Sequence, residues 1–101
     1  MSYSVVFAPE AAEQLVELYR YIEAASSVEI AARFTDAIIT YCEGLASFPL
    51  RAVSRDDIRP GLRVTNYKGR VVIAYTVEAA FISIVGVYYG GRDFEALLES
   101  P

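Results

Sequence analysis

The chain has no histidine and no tryptophan, and a single cysteine, in 101 residues. Without histidine, Ser-His-Asp and Cys-His relays are excluded, together with most zinc sites. No metal-ligand spacing or cofactor motif is present, so catalysis of any kind would fall to Arg, Lys, Tyr, Asp and Glu. Cys42 has no partner for an internal disulfide. It falls among Ile38, Ile39 and Tyr41 on a predicted helix and reads as a buried structural thiol. No apolar run approaches the roughly 18 residues of a membrane span. Met1-Ser2-Tyr3-Ser4 lacks the basic start of a signal peptide. These absences predict a cytoplasmic protein with no membrane partner.

Charge is also in short supply. The formal net charge of −4 argues against a protein whose main partner is a nucleic-acid backbone, since such domains carry a basic face. The average hides an asymmetry. Glu10, Glu13, Glu17, Glu23, Glu29, Asp36 and Glu43 face only Arg20 and Arg33 in residues 1–48, whereas Arg51, Arg55, Arg59, Arg63, Lys68 and Arg70 face only Asp56 and Asp57 in residues 51–70. That basic run reads as a solvated loop that can also attract an acidic protein tail.

What is abundant is apolar sequence, concentrated in three consecutive runs. Arg70 to Val77 is apolar at both odd and even positions, as a central strand covered on two faces must be. Leu62 to Tyr67 precedes it, with Leu62 and Val64 alternating with Arg63 and Thr65 as in a half-exposed strand. Lys68-Gly69 supplies the hairpin turn. Phe81 to Tyr89 is a third run of β-branched and aromatic residues in which Gly86 marks a bulge or a close backbone approach. Glu78-Ala79-Ala80 joins the last two, and Gly90-Gly91 ends the third.

Upstream, Tyr3 to Phe7 reads as a short edge strand. Pro9 opens a helix with Glu10 and Glu13 in its first turn, and Ala11, Leu15, Leu18 and Ile22 form one buried stripe to about Ala25. Ser26 and Glu29 match a capping box for a second helix. Its predicted stripe is Ile30, Phe34, Ile38, Tyr41, Leu45 and Phe48, with Pro49 as the stop. Leu50 to Gly61 gives no secondary-structure signal. Phe94 to Ser100 reads as one or two helical turns.

The result is a single α+β domain spanning residues 1–101, a small two-layer sandwich. It comprises an N-terminal strand, an antiparallel helical hairpin, a three-stranded antiparallel meander and a short C-terminal helix. One hairpin covers one sheet face, while two of the strands are apolar on both. A partner chain is therefore expected over part of the second face.

This order of elements, with Pro60-Gly61-Leu62-Arg63 opening the meander, Tyr75 in its middle strand and Tyr88-Tyr89-Gly90-Gly91-Arg92-Asp93 closing it, resembles the RelE/ParE superfamily of bacterial toxins, and most closely its ParE branch. The resemblance runs from Tyr3 to Leu98. It implies a toxin that inhibits DNA gyrase by binding, without chemistry of its own, and that is held in a hetero-oligomer by a ParD-like antitoxin. The alternative branch, RelE-like, implies a ribosome-dependent mRNA endoribonuclease, for which Arg63 and Arg70 would clamp phosphate and Tyr88 or Tyr89 would act as acid or base. The residues that the resemblance and the charge pattern point to for target contact are Arg63, Arg70, Tyr89, Arg92 and Asp93. Tyr89 stands where the family motif usually has histidine and Gly91 where it often has arginine. Arg63 is alternatively a strand arginine pairing with Asp57, and Asp93 alternatively caps the last helix.

Overall fold

The computed structural model describes residues 3–99. Met1 and Ser2, read above for a targeting signal, and Ser100, the last residue of the predicted C-terminal turns, lie outside the described residues. The elements in order are β1 (Ser4–Phe7), α1 (Pro9–Ala25), α2 (Val28–Gly44), β2 (Val53–Ser54), β3 (Leu62–Tyr67), β4 (Val71–Val77), β5 (Phe81–Tyr89) and α3 (Phe94–Glu99). The sheet order is β1-β5-β4-β3-β2, so the meander is the middle of a five-stranded sheet. β1 lies at one edge as expected, parallel to β5 with Ser4 opposite Phe81 and Phe7 opposite Ile84. The other contacts are antiparallel. No described helix is long and apolar enough to cross a membrane.

β4 sits centrally because it is apolar on both faces. Val71, Ile73 and Tyr75 are buried under the helices with Ile82, Ile84 and Val87, against Ala11, Leu15 and Leu18 of α1 and Ile38 and Cys42 of α2. On the opposite face Ala74 and Tyr88 join Leu62 and Leu98, ringed by Ile58, Val64, Val72, Val85 and Phe94. The chain therefore closes the centre of its second face with α3 and Ile58. Leu62 and Ala74 retain no exposed surface.

The helical hairpin departs from the prediction in three places. Ser27, not Ser26, caps α2, its extended backbone allowing Oγ to accept from Ile30 N at 3.2 Å. Ser26 instead closes α1, donating through both N and Oγ to the carbonyl of Ile22. The buried stripe of α2 is Ala31, Thr35, Ile38, Cys42 and Leu45, leaving Ile30 47% exposed. Small residues sit on this stripe, and the Thr35 hydroxyl is satisfied by Ala31 O at 3.0 Å, so a search for large apolar side chains finds the flank of the face and not its centre. Finally, α2 ends at Gly44, five residues before Pro49. Successive bonds from Ala46 to Glu43, Ser47 to Gly44 and Phe48 to Leu45 tighten the chain into i to i−3 turns, and Phe48 ends 65% exposed.

β2 also falls in the stretch read as an unstructured connection. It is two residues long, with Val53 opposite Val64 and Ser54 opposite Arg63. Too short for any periodicity, it exists because the β3 edge offers it a ladder. Arg70 belongs to the turn and not to β4: Lys68 and Gly69 both take positive φ, and Arg70 N donates to Tyr67 O at 3.1 Å.

The predicted irregularity at Gly86 is present. The β4–β5 register steps from Ala74 opposite Gly86 to Tyr75 opposite Ile84, leaving Val85 as the extra residue of a bulge. The Tyr88 ring folds back over Gly86 so closely that a Cβ there would lie 2.4 Å from the phenol. Gly86→Ala is expected to cost about 1 to 3 kcal/mol through overpacking, read as a lower urea midpoint at unchanged slope; a midpoint equal to wild type would overturn this account of the bulge. Cys42 is fully buried, and burial followed by the nearby Glu43 charge pushes its thiol up to about 12. It should therefore resist iodoacetamide at pH 8 in the folded protein and react rapidly in urea, as a mass-spectrometric time course would show.

Candidate functional site

Where β5 runs out past β1, its last residues face α1 across a cleft of about 220 Å³. Gln14, Glu17, Leu18 and Tyr21 form the α1 wall, and Val87, Tyr89, Gly90 and Arg92 the opposite side. The helical residues lie at i, i+3, i+4 and i+7, one face of the helix next to its core stripe. Gln14 spans the gap, its Oε1 accepting from Val87 N at 2.7 Å. The half-buried Tyr89 ring is held between Tyr21, 6.3 Å away between centroids, and Phe34, edge-on at 6.0 Å. Tyr21 itself is 63% exposed, so the aromatic group opens to solvent on the α1 side. Gly90 and Gly91 follow with φ of 78° and 75°, a left-handed pair that turns the chain sharply and returns Arg92 to the cleft.

Of the five residues expected at a target surface, the fold brings three to this end of the sheet. Tyr89 and Arg92 share the cleft, and exposed Arg70 stands one residue before Val71, the register partner of Tyr89. Asp93 caps α3, with Oδ1 accepting from Ala96 N at 3.2 Å, the structural alternative anticipated for it. Arg63 lies elsewhere. It is four residues along β3 from Tyr67, which pairs with Val71, and so roughly 13 Å from the cleft end of the ladder.

Arg63 does not pair with Asp57 either. Its Nη1 donates to the carbonyls of Leu50 at 3.1 Å and Ala52 at 2.9 Å, pinning the segment between α2 and β2 to the sheet. Tyr75, opposite Arg63 in the ladder and completely buried, donates to Pro49 O at 2.7 Å for the same purpose. Burial is the main reason that its phenol is pushed above the usual tyrosine value. Tyr41 adds a third tie through Thr65 Oγ1 at 3.0 Å, with Arg51 over its ring.

Two further basic residues of this stretch, Arg55 and Arg59, are similarly engaged, whereas Arg70 is exposed in the turn before β4. Arg55 holds Asp57 by two bonds of 2.9 Å and also pairs with Glu95 on α3. Arg59 reaches Leu98 O at 2.7 Å. Asp56 accepts from Gly61 N at 2.8 Å and from Ser54 Oγ, and these bonds hold its carboxyl below the ordinary aspartate range. The run that reads as a solvated basic loop is thus largely a set of anchors for the β2 segment and α3. The cleft residues Gln14, Glu17 and Tyr21 were not legible as a site from the sequence. Their common helical face was the available signal.

The fold recurs in a solved structure. A chain of the chromosomal ParDE toxin–antitoxin system from P. aeruginosa superposes with a TM-score of 0.76 at 18% identity, over 87% of this chain and 96% of that one. No curated protein matches the sequence significantly. The architecture is therefore that of a small α+β domain of the same fold. Residues 5–94 match the ParE toxin of type II toxin–antitoxin systems, parDE, and the chain belongs to that family.

Arg63→Ala should lower stability by about 1 to 3 kcal/mol, because two carbonyls, that of Ala52 partly buried, lose a charged donor. Arg92→Ala should shift it by less than about 0.5 kcal/mol, since Arg92 is exposed and forms no ion pair among the described residues. Urea denaturation of the two variants compares them directly, and equal losses would show that Arg63 is not an anchor.

Proposed function

We propose that this protein is a one-domain cytoplasmic toxin that inhibits DNA gyrase by binding it, without chemistry of its own, and that a cognate ParD-like antitoxin silences it in a hetero-oligomer. The observation that carries the reading is membership of the ParE toxin family over residues 5–94. The geometry supports the binding half of it. Tyr89, Arg92 and Arg70 present an aromatic, two-cation surface at one end of the sheet, and this is our candidate for target contact.

The arrangement counts against ribonuclease chemistry at Arg63 and Tyr88, while Arg70 and Arg92 stay exposed and Tyr89 half-buried. In-line attack by a ribose 2′-hydroxyl needs free cations around the phosphate and a competent proton acceptor. Arg63 is committed to two backbone carbonyls and Tyr75 to a third. Tyr88 is buried, and that burial raises its phenol further from neutrality.

The test is toxin freed of antitoxin, assayed for inhibition of supercoiling and for trapped gyrase–DNA cleavage, with mRNA integrity on translating ribosomes followed in parallel. Trapped cleavage with intact mRNA is expected, and Arg92→Ala should require at least about 10-fold more protein, the equivalent of about 1.4 kcal/mol. Silent gyrase accompanied by codon-dependent mRNA cuts would replace this reading with the RelE-like one.

A further inference from the structure

The β5 edge is left open where β1 stops. β1 pairs with β5 only as far as Phe7 opposite Ile84, and the last bond of that contact is Ala8 N to Ile84 O. The chain then leaves the sheet to enter α1 at Pro9. Beyond this point Val87 N donates outward, to the Gln14 side chain and not to β4. In a regular antiparallel ladder the outward and inward groups alternate, and the register of Gly86 to Tyr89 with Ala74 to Val71 is regular. Val87 C=O and Tyr89 N–H therefore also point away from β4, into the cleft. The Gln14 carboxamide already occupies the position of a strand carbonyl, which shows that the slot has the right depth for a peptide group.

One residue of an incoming chain satisfies both remaining groups if that chain runs parallel to β5. Its N–H reaches Val87 C=O and its C=O accepts from Tyr89 N–H, the same pattern by which β1 pairs further down the edge. The floor of the slot is apolar, with Leu18 and Val87 beneath and the Tyr21 and Tyr89 rings beside it. Arg92 lines the same cleft and forms no ion pair among the described residues, whereas Glu17 stands on the α1 wall. An acidic side chain is thus favoured at the Arg92 end and a basic one is not, while the cluster of acids on α1 discourages carboxylates further back.

We infer that the edge of β5 from Val87 to Tyr89 is a strand-capture site for an extended acidic peptide segment of a protein partner, lying in line with β1 and placing a carboxylate on Arg92. Main-chain bonds supply the attachment and Arg92 the selectivity. The proposal rests on the toxin–antitoxin reading only for the source of the segment, which is then the antitoxin. Its test uses neither gyrase nor toxicity.

Three blocked pentapeptides serve as probes, titrated into isotope-labelled full-length toxin freed of antitoxin and followed by amide NMR. The first is Val-Ser-Val-Ser-Glu, with its one carboxylate at the Arg92 end, the second replaces that glutamate by lysine, and the third is the acidic peptide N-methylated at its central valine, which removes the N–H for Val87 C=O. The acidic peptide should shift the amides of Val87 to Arg92 and protect Tyr89 N–H from exchange. The lysine and N-methylated peptides should each bind at least 10-fold more weakly, and Arg92→Gln should abolish the preference for glutamate over lysine. No binding at millimolar acidic peptide, shifts confined to another surface, or equal binding of the N-methylated peptide would each overturn the proposal. A gyrase assay that fails while these titrations succeed would remove the target assignment and leave the capture site standing.

Discussion

The antiparallel contact between β4 and β5 is the interaction on which the rest of the molecule depends. Both strands bury side chains on both faces, so one ladder serves two clusters at once. The helical hairpin has a surface to cover because Ile73, Tyr75, Ile84 and Val87 stand on one side of it. α3 has a surface to cover because Ala74 and Tyr88 stand on the other. The Val85 bulge lets β5 serve both, by re-aiming its second half so that Tyr88 turns over Gly86 while Tyr89 faces the helices.

Around this apolar centre the arginines act chiefly as backbone ties. Arg63 and Arg59 donate to main-chain carbonyls, and Arg55 joins the loop after β2 to α3. A guanidinium is suited to this, since its fixed fork of donors reaches two acceptors without reorganisation. The arrangement separates two jobs. The β2 side of the sheet uses its cations for its own architecture, whereas Arg92 at the aromatic cleft and Arg70 in the turn before β4 form no ion pair among the described residues.

The architecture was legible where burial imposes a period or a turn imposes a residue type. Val71 to Val77 announced a doubly covered strand, Pro9 a helix start, Lys68-Gly69 a hairpin and Gly86 an irregularity. What escaped was decided by tertiary contact. Val53 and Ser54 form a strand only because β3 offers a free edge, and two residues carry no pattern. Ser26 and Ser27 are equivalent as sequence, and which one caps α2 depends on which is used to close α1. The same holds for the site. Tyr89 and Arg92 line one cleft and belong to one stretch of sequence, whereas Gln14 and Tyr21 were hidden because a helix face acquires a meaning only from what lies opposite. Arg63 was misplaced because its acceptors are carbonyls, which every residue has and no side-chain pattern reveals.

The parallel contact between β1 and β5 has a consequence for the order of events during synthesis. Among the described strands the first has the last as its one partner, and Ser4 must wait for Phe81 before that edge of the sheet can form. Contacts of such long sequence separation form late. A nascent chain still attached to the ribosome, with its final strand in the exit tunnel, can assemble the helical hairpin but neither the β1 edge nor the cleft beside it. The β1 edge and the Tyr89–Arg92 surface beside it are therefore completed in one step, when β5 reaches the strand made first.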